Sequence, residues 1–291
     1  VMLTAAMVSA MLAGCGSKNA ETQSAADTTA ESAVSGDETS ADTQAADAET
    51  TDAETTDASK TDGTFTVGFD QDFPPMGFVG DDGEFTGFDL EMAAEVAKRL
   101  NLMIAYQPIA WDAKDMELDA GTIDCIWNGF TMNGREDDYE WSKPYMKNNQ
   151  VFVVRGDSDI NSETDLAGKN VEVQTDSSAE AALNDNSELT STFGSLTPVA
   201  DYNTAFMDLE SGAVDAIAMD DVVASYQITS RKADFKVLDD VIAAEEYGIG
   251  FKKGNTGLRD KVQATLEEMA ADGTAAKISE KWFGKDITTI Q

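Results

Sequence analysis

Met116-Glu117-Leu118-Asp119-Ala120-Gly121-Thr122-Ile123-Asp124-Cys125-Ile126 lines up without a gap on Met207-Asp208-Leu209-Glu210-Ser211-Gly212-Ala213-Val214-Asp215-Ala216-Ile217. Met, Leu, Gly, Asp and Ile recur at five matched positions. Each stretch reads as a helix end, a glycine C-cap and a buried strand. Two explanations are open. One is chance convergence of a common helix–strand unit. The other is two lobes of similar architecture, a repeat on the scale of a domain.

The surrounding sequence extends this α/β reading. Phe65-Thr66-Val67-Gly68-Phe69 alternates as a strand does, and Gly80-Asp81-Asp82-Gly83 is a hairpin-turn signal before a second short strand. Asp89 reads as an N-cap, with Leu90, Ala93, Ala94, Ala97 and Leu100 along one helical face. Asp112 is placed to cap a further helix that stops at Gly121. Asn148 to Val154 and Glu246 to Phe251 are extended, and the second repeat lies between them. Paired with each other, these two segments would be crossovers between lobes, that is, a hinge. Leu258, Val262, Leu266 and Met269 then mark one helical face, and Lys277 to Phe283 a last short helix.

The chain before Phe65 has a different composition. Residues 1–15 are an uncharged apolar run ending Leu12-Ala13-Gly14-Cys15. It is shorter than the ~20 residues a membrane span needs, and it fits the apolar core of a secretion signal. The basic start of such a signal is missing, so the expectation is a sequence cut short at its N-terminus. The end of the run resembles the bacterial lipobox, which implies lipidation at Cys15. Residues 16–62 carry twelve acids against Lys18 and Lys60, and Val34 is their one apolar residue apart from alanines. Such a segment cannot bury enough surface to offset its ordering entropy and reads as a disordered tether.

Net charge excludes some functions. At −35 without a single histidine, the chain lacks the cationic surface that nucleic-acid phosphates need. It also lacks the commonest general base and transition-metal ligand. No metal cluster or phosphate loop is visible, and no cofactor is expected. With Cys15 lipidated, Cys125 is left mid-strand in an apolar run, an inert core thiol with no partner for a disulfide.

Several stretches together resemble the extracellular solute-binding proteins of polar-amino-acid ABC importers. They are Val67-Gly68-Phe69-Asp70 with Phe73-Pro74-Pro75-Met76-Gly77-Phe78; Gly83 to Leu90; Gly121 to Thr131; Arg135 with Trp141-Ser142-Lys143-Pro144-Tyr145; Asp165-Leu166-Ala167-Gly168-Lys169 through Ala179; and Gly212 to Ala216. The resemblance spans about residues 64–287. It implies an α/β, two-lobed, periplasmic-binding-protein-like (type II) fold with two hinge strands. Lobe 1 would comprise 63–146 and 247–291, and lobe 2 147–246. It further implies a monomer, lipid-anchored outside the cell, that captures a free amino acid and delivers it to permease subunits. The rivals are an enzyme on the same fold, such as a dehydratase, and a ligand-sensing domain.

A zwitterion buried in a cleft needs a partner for each charge. The resemblance gives Arg135 the ligand carboxylate, which a guanidinium binds bidentately; a surface arginine beside Glu136 and Asp137 is the alternative. Asp220, at the end of the second repeat strand, is the ammonium candidate, with a helix N-cap as its alternative. Ser177 and Ser178 start a helix whose free N–H groups suit an anion, or simply cap it. Thr131 would add a hydroxyl from the other lobe, with Asn128 and Gly129 beside it. Phe73 sits where the family packs an aromatic over the ligand, Phe78 and Trp127 are further wall candidates or core, and Asp70 sits where the ligand side chain is touched.

Overall fold

The computed structural model describes residues 63–291. The signal, lipobox and tether readings fall outside the described residues. The chain runs β1 (Thr64–Phe69), β2 (Asp72–Phe73), β3 (Gly77–Val79), β4 (Phe85–Thr86), α1 (Phe88–Arg99), β5 (Met103–Pro108), α2 (Lys114–Ala120), β6 (Cys125–Thr131), β7 (Glu140–Trp141) and β8 (Met146–Arg155). It continues through β9 (Asn170–Gln174), α3 (Ser178–Asp185), α4 (Ser187–Thr190), β10 (Ser195–Val199), α5 (Tyr202–Ser211), β11 (Ala216–Asp220), α6 (Asp221–Arg231), β12 (Phe235–Phe251), α7 (Thr256–Ala271) and α8 (Thr274–Phe283).

One sheet organises both lobes, in the order β10-β9-β11-β8-β12-β6-β1-β5. Read outward from its centre, each half repeats the other. In lobe 1, β5, β1 and β6 run parallel and β12 closes them antiparallel. In lobe 2, β10, β9 and β11 run parallel and β8 closes them antiparallel. The closing strand of each lobe therefore enters from the other. β8 and β12 pair antiparallel from Tyr247↔Met146 to Phe235↔Arg155, with register shifts near Val241.

The gapless repeat corresponds to α2-Gly121-β6 and α5-Gly212-β11. Both glycines take the left-handed conformation that ends a helix, with φ of 71° and 79°. Thr122 to Asp124 remain outside the strand, which begins at Cys125. Met116 and Met207 match in sequence yet are both exposed, so they are not core.

Both faces of the sheet are covered, which explains why β6 is buried along its whole length. Its residues alternate as a pleat requires. Cys125 and Trp127 join Val67, Leu90, Val262 and Leu266 on one side, while Ile126 and Phe130 join Trp111, Leu118, Tyr139 and Trp141 on the other. Trp127 is thus core and not a cleft wall. β11 alternates likewise, Ile217 and Met219 facing Phe206 and Val223, and Ala216 and Ala218 facing Leu183 and Val173. Phe78, on the β3–β4 hairpin, packs on Tyr226 and Trp282 away from the cleft.

Two caps differ from expectation. Gly87 precedes α1, and Asp89 lies in its first turn, fully buried, with its carboxylate accepting from Gly129 N–H (2.6 Å) and Tyr145 O–H (2.8 Å). Asp112 sits inside a short 3-10 turn, Trp111–Ala113, and caps nothing. Among the described residues no helix is long and apolar enough to cross a membrane.

Candidate functional site: the interlobe cleft

Ligands of open α/β sheets collect at the carboxyl ends of strands, and here both lobes aim those ends at one place. A small cavity lies between them. Lobe 1 lines it with Phe73, Trp111, Asn128, Gly129, Thr131 and Arg135, and lobe 2 with Gln174, Ser177, Ser178 and Asp220.

Arg135 is half-buried and reaches the cavity from the turn after β6. Its guanidinium donates to the carbonyls of Thr131 and Asp176, each at 3.3 Å, and lies 5.4 Å from the centre of the Phe130 ring. Among the described residues no carboxylate is within ion-pair distance of it, Glu136 and Asp137 included. With five N–H donors and two carbonyl contacts, it keeps donors for an anion.

Asp220 stands at the N-cap position of α6 but caps nothing with its side chain. Oδ1 instead accepts from Asn148 Nδ2 (2.9 Å), Gln150 Nε2 (2.9 Å) and the Tyr247 hydroxyl (2.5 Å). The carboxyl is held well above the usual range, first by burial and then by Glu245 beside it. A neighbouring cation would restore its ionised form.

Ser177 is the N-cap of α3, its hydroxyl accepting from Glu180 N–H at 3.1 Å. Ser178 Oγ accepts from Gln150 Nε2 (2.9 Å) and from Thr131 Oγ1 across the cleft (3.1 Å). Asn128 spends its side-chain oxygen on Asp70 N–H (3.0 Å), so it braces the β1–β2 turn. Gly129 adopts φ 57°, and a Cβ there would come within 3.1 Å of both the Phe73 and Tyr247 rings. Glycine is required at this wall by conformation and by space. Phe73 also meets Tyr202 of lobe 2, with ring centres 6.0 Å apart.

Asp70, like the wall candidates Phe78 and Trp127, does not line the cavity. It is buried beside it, accepting from Asp72 N–H (2.8 Å) and from Gln174 Nε2 across the cleft (2.6 Å). Burial pushes its carboxyl up to about 6. Other contacts between the lobes are Asn203 to Asp72 (2.6 Å) and the ion pair of Lys114 with Asp176.

Trp111 and Gln174 are wall residues the sequence reading missed. Gln174 was within reach of it, since it ends β9 as Asp70 follows β1 and the lobes repeat. Trp111 follows β5, and its aromatic character alone does not separate wall from core.

Comparison with known proteins bears on the fold and the family. Residues 65–285 match the bacterial extracellular solute-binding proteins, family 3. The chain is 34% identical to the L-cystine-binding protein TcyJ of Escherichia coli (strain K12), covering 77% of this chain and 84% of that one. It is 31% identical to the L-cystine-binding protein TcyA of Bacillus subtilis (strain 168), covering 77% and 82%. Among solved structures, a substrate-binding protein of an ABC uptake transporter from Streptococcus pneumoniae with bound histidine superposes with a TM-score of 0.76 at 34% identity, covering 78% of this chain and 95% of that one. An ancestral arginine-binding protein bound to arginine gives 0.71 at 36% identity, covering 76% and 99%. The cleft, the exchanged strands and these matches have one source: the chain belongs to the bacterial extracellular solute-binding proteins of family 3.

Proposed function

We propose that this protein captures one free amino acid between its lobes by hinge closure and presents the closed form to the permease of an ABC importer. One observation carries the reading: a cation from one lobe, Arg135, and an acid from the other, Asp220, face the same cavity. The ligand carboxylate would sit on Arg135, with Thr131 and the Ser177–Ser178 helix start adding donors. The ammonium would sit on Asp220, and Phe73, Gly129 and Asn128 would form the wall, with Asp70 acting from behind it through Gln174. A ligand held from both lobes favours the closed state, because only there does it touch both. The hinge would be β8 with β12, and the lobes 63–146 with 247–291, and 147–246. The amino acid leaves unchanged, and no catalytic residue is assigned. Lipid on Cys15 and a tether over 16–62 would keep a monomer at the outer face of the cell membrane.

Calorimetry tests the site. L-Cystine leads the screen because two relatives are named for it, followed by L-histidine, L-arginine and L-glutamine. Arg135→Ala leaves a buried carboxylate without its partner, a loss of about 3–5 kcal/mol, so affinity should fall at least a hundredfold. Undiminished affinity in both Arg135→Ala and Asp220→Ala would sink the assignment. For the anchor, labelled fatty acid should enter the wild-type chain and not Cys15→Ser.

A further inference from the structure

Asp220 has an acidic neighbour that the amino-acid reading does not use. Glu245, on β12, is as buried as Asp220, and Asn148 Nδ2 and Gln150 Nε2 each bond both carboxylates. Those amides lie 2.7 Å from Glu245 Oε1 and 2.9 Å from Asp220 Oδ1. Two acids that share two nitrogens are close enough to contend for one proton. Glu245 also borders the open groove beside Thr131, Arg135 and Ser178, so the pair lies between the cavity and solvent.

We propose that Asp220 and Glu245 together hold one proton in the ligand-free protein and surrender it to solvent when the ligand's ammonium arrives. Glu245 is thereby assigned to the binding site as the second acid of a dicarboxylate pair. The inference rests on the amino-acid reading above, since it needs a cationic group on the ligand.

The groups around the pair favour a proton over an internal counter-ion. From β8 it meets the neutral amides of Asn148 and Gln150. From β12 it meets Tyr247, whose hydroxyl donates to Asp220. Tyr202 of α5 lies within electrostatic reach of Asp220, Glu245 and Asp70. From lobe 1, Arg135 lines the cavity but its recorded donors go to backbone carbonyls. Lys114 is paired with Asp176. Two buried like charges cannot both ionise without a cation, and the raised titration of Asp220 accords with that. On capture an O–H bond of the pair breaks, the proton passes to buffer, and the ammonium replaces it as the positive charge between the acids.

Linkage fixes the sign. While the free pair is protonated, binding releases a proton, so affinity rises about tenfold per pH unit and levels once the free pair has ionised. The test is calorimetric titration with L-cystine, L-histidine and L-arginine at neutral pH, in phosphate and in Tris. Wild type should release close to one proton per ligand, and Glu245→Gln well under half. Asp70, the other raised carboxyl at the cleft, is left in place in that variant. Saturable binding with no buffer-dependent heat, or equal release in Glu245→Gln, would overturn the pair while leaving the amino-acid reading intact. Absence of binding by every probe would sink the amino-acid reading itself. The pair is then read directly by infrared spectroscopy of the ligand-free protein at neutral pH: a protonated-carboxyl band in wild type that weakens in Glu245→Gln supports it, and identical spectra refute it.

Discussion

Replacing Asp89 with Asn tests whether a fully buried acid behind the cleft sets the protein's stability at neutral pH. Oδ2 of Asp89 accepts from Gly129 N–H and the Tyr145 hydroxyl. Burial raises its carboxyl from 3.8 to about 7. The folded pKa lies above the unfolded one, so the folded chain retains a proton that the unfolded chain gives up. The stability from that proton is fully present below about pH 4 and is lost as pH rises to about 7. A displacement of that size corresponds to about 4 kcal/mol, a large share of the 5–15 kcal/mol typical of a domain. Asn can accept the Gly129 bond and never ionises. Urea unfolding of both proteins at pH 4 and pH 8 should therefore show the Asn variant gaining about 4 kcal/mol on wild type between the two conditions. A stability difference that moves by less than about 1 kcal/mol would refute the argument that Asp89 is neutral in acid and ionises in place.

Gly129→Ala should lower stability by about 1–3 kcal/mol in urea unfolding, through left-handed strain and contact with two rings; unchanged stability would mean the wall can yield. Lys114→Met removes an ion pair made between lobes and keeps the buried stem. Ligand affinity should fall about tenfold, the share of one charge-assisted contact, and small-angle scattering should report a larger radius of gyration; a shift in neither would mean the pair does not favour closure. Cys125 is fully buried and burial pushes its thiol well up, so in a Cys15→Ser background a thiol probe should label only unfolded protein. Stoichiometric labelling of the native protein would contradict that.

What the sequence disclosed depended on whether neighbours in the chain were also neighbours in space. Gly121 and Gly212 declared themselves because a helix stop is local chemistry. Arg135 and Asp220 were expected at the cleft from resemblance and strand ends, and both line the cavity. Asp89 was misread because Asp before an apolar helical face is also what a cap looks like. Its true partners, Gly129 and Tyr145, are remote in sequence. Glu245 went unnoticed for the same reason. In Ala243-Ala244-Glu245-Glu246 nothing marks one glutamate as buried until pairing with Asn148 is known. Asp70 lies beside the cavity and not on its lining, and its bond to Gln174 depends on how the lobes meet.

The exchange of β8 and β12 between lobes also bears on the order in which the chain can fold. Lobe 1's sheet is closed by Tyr247 to Phe251, which are made more than a hundred residues after the end of β6. Until they emerge, β6 is an open sheet edge, although every one of its residues is buried in the finished fold. A nascent chain that ends within lobe 2 therefore holds no finished lobe 1, and domain-by-domain folding during synthesis is closed to it. The long sequence separation slows the pairing as well. The topology that lets one sheet serve two lobes thus ties completion of lobe 1 to β12, the last strand made among the described residues.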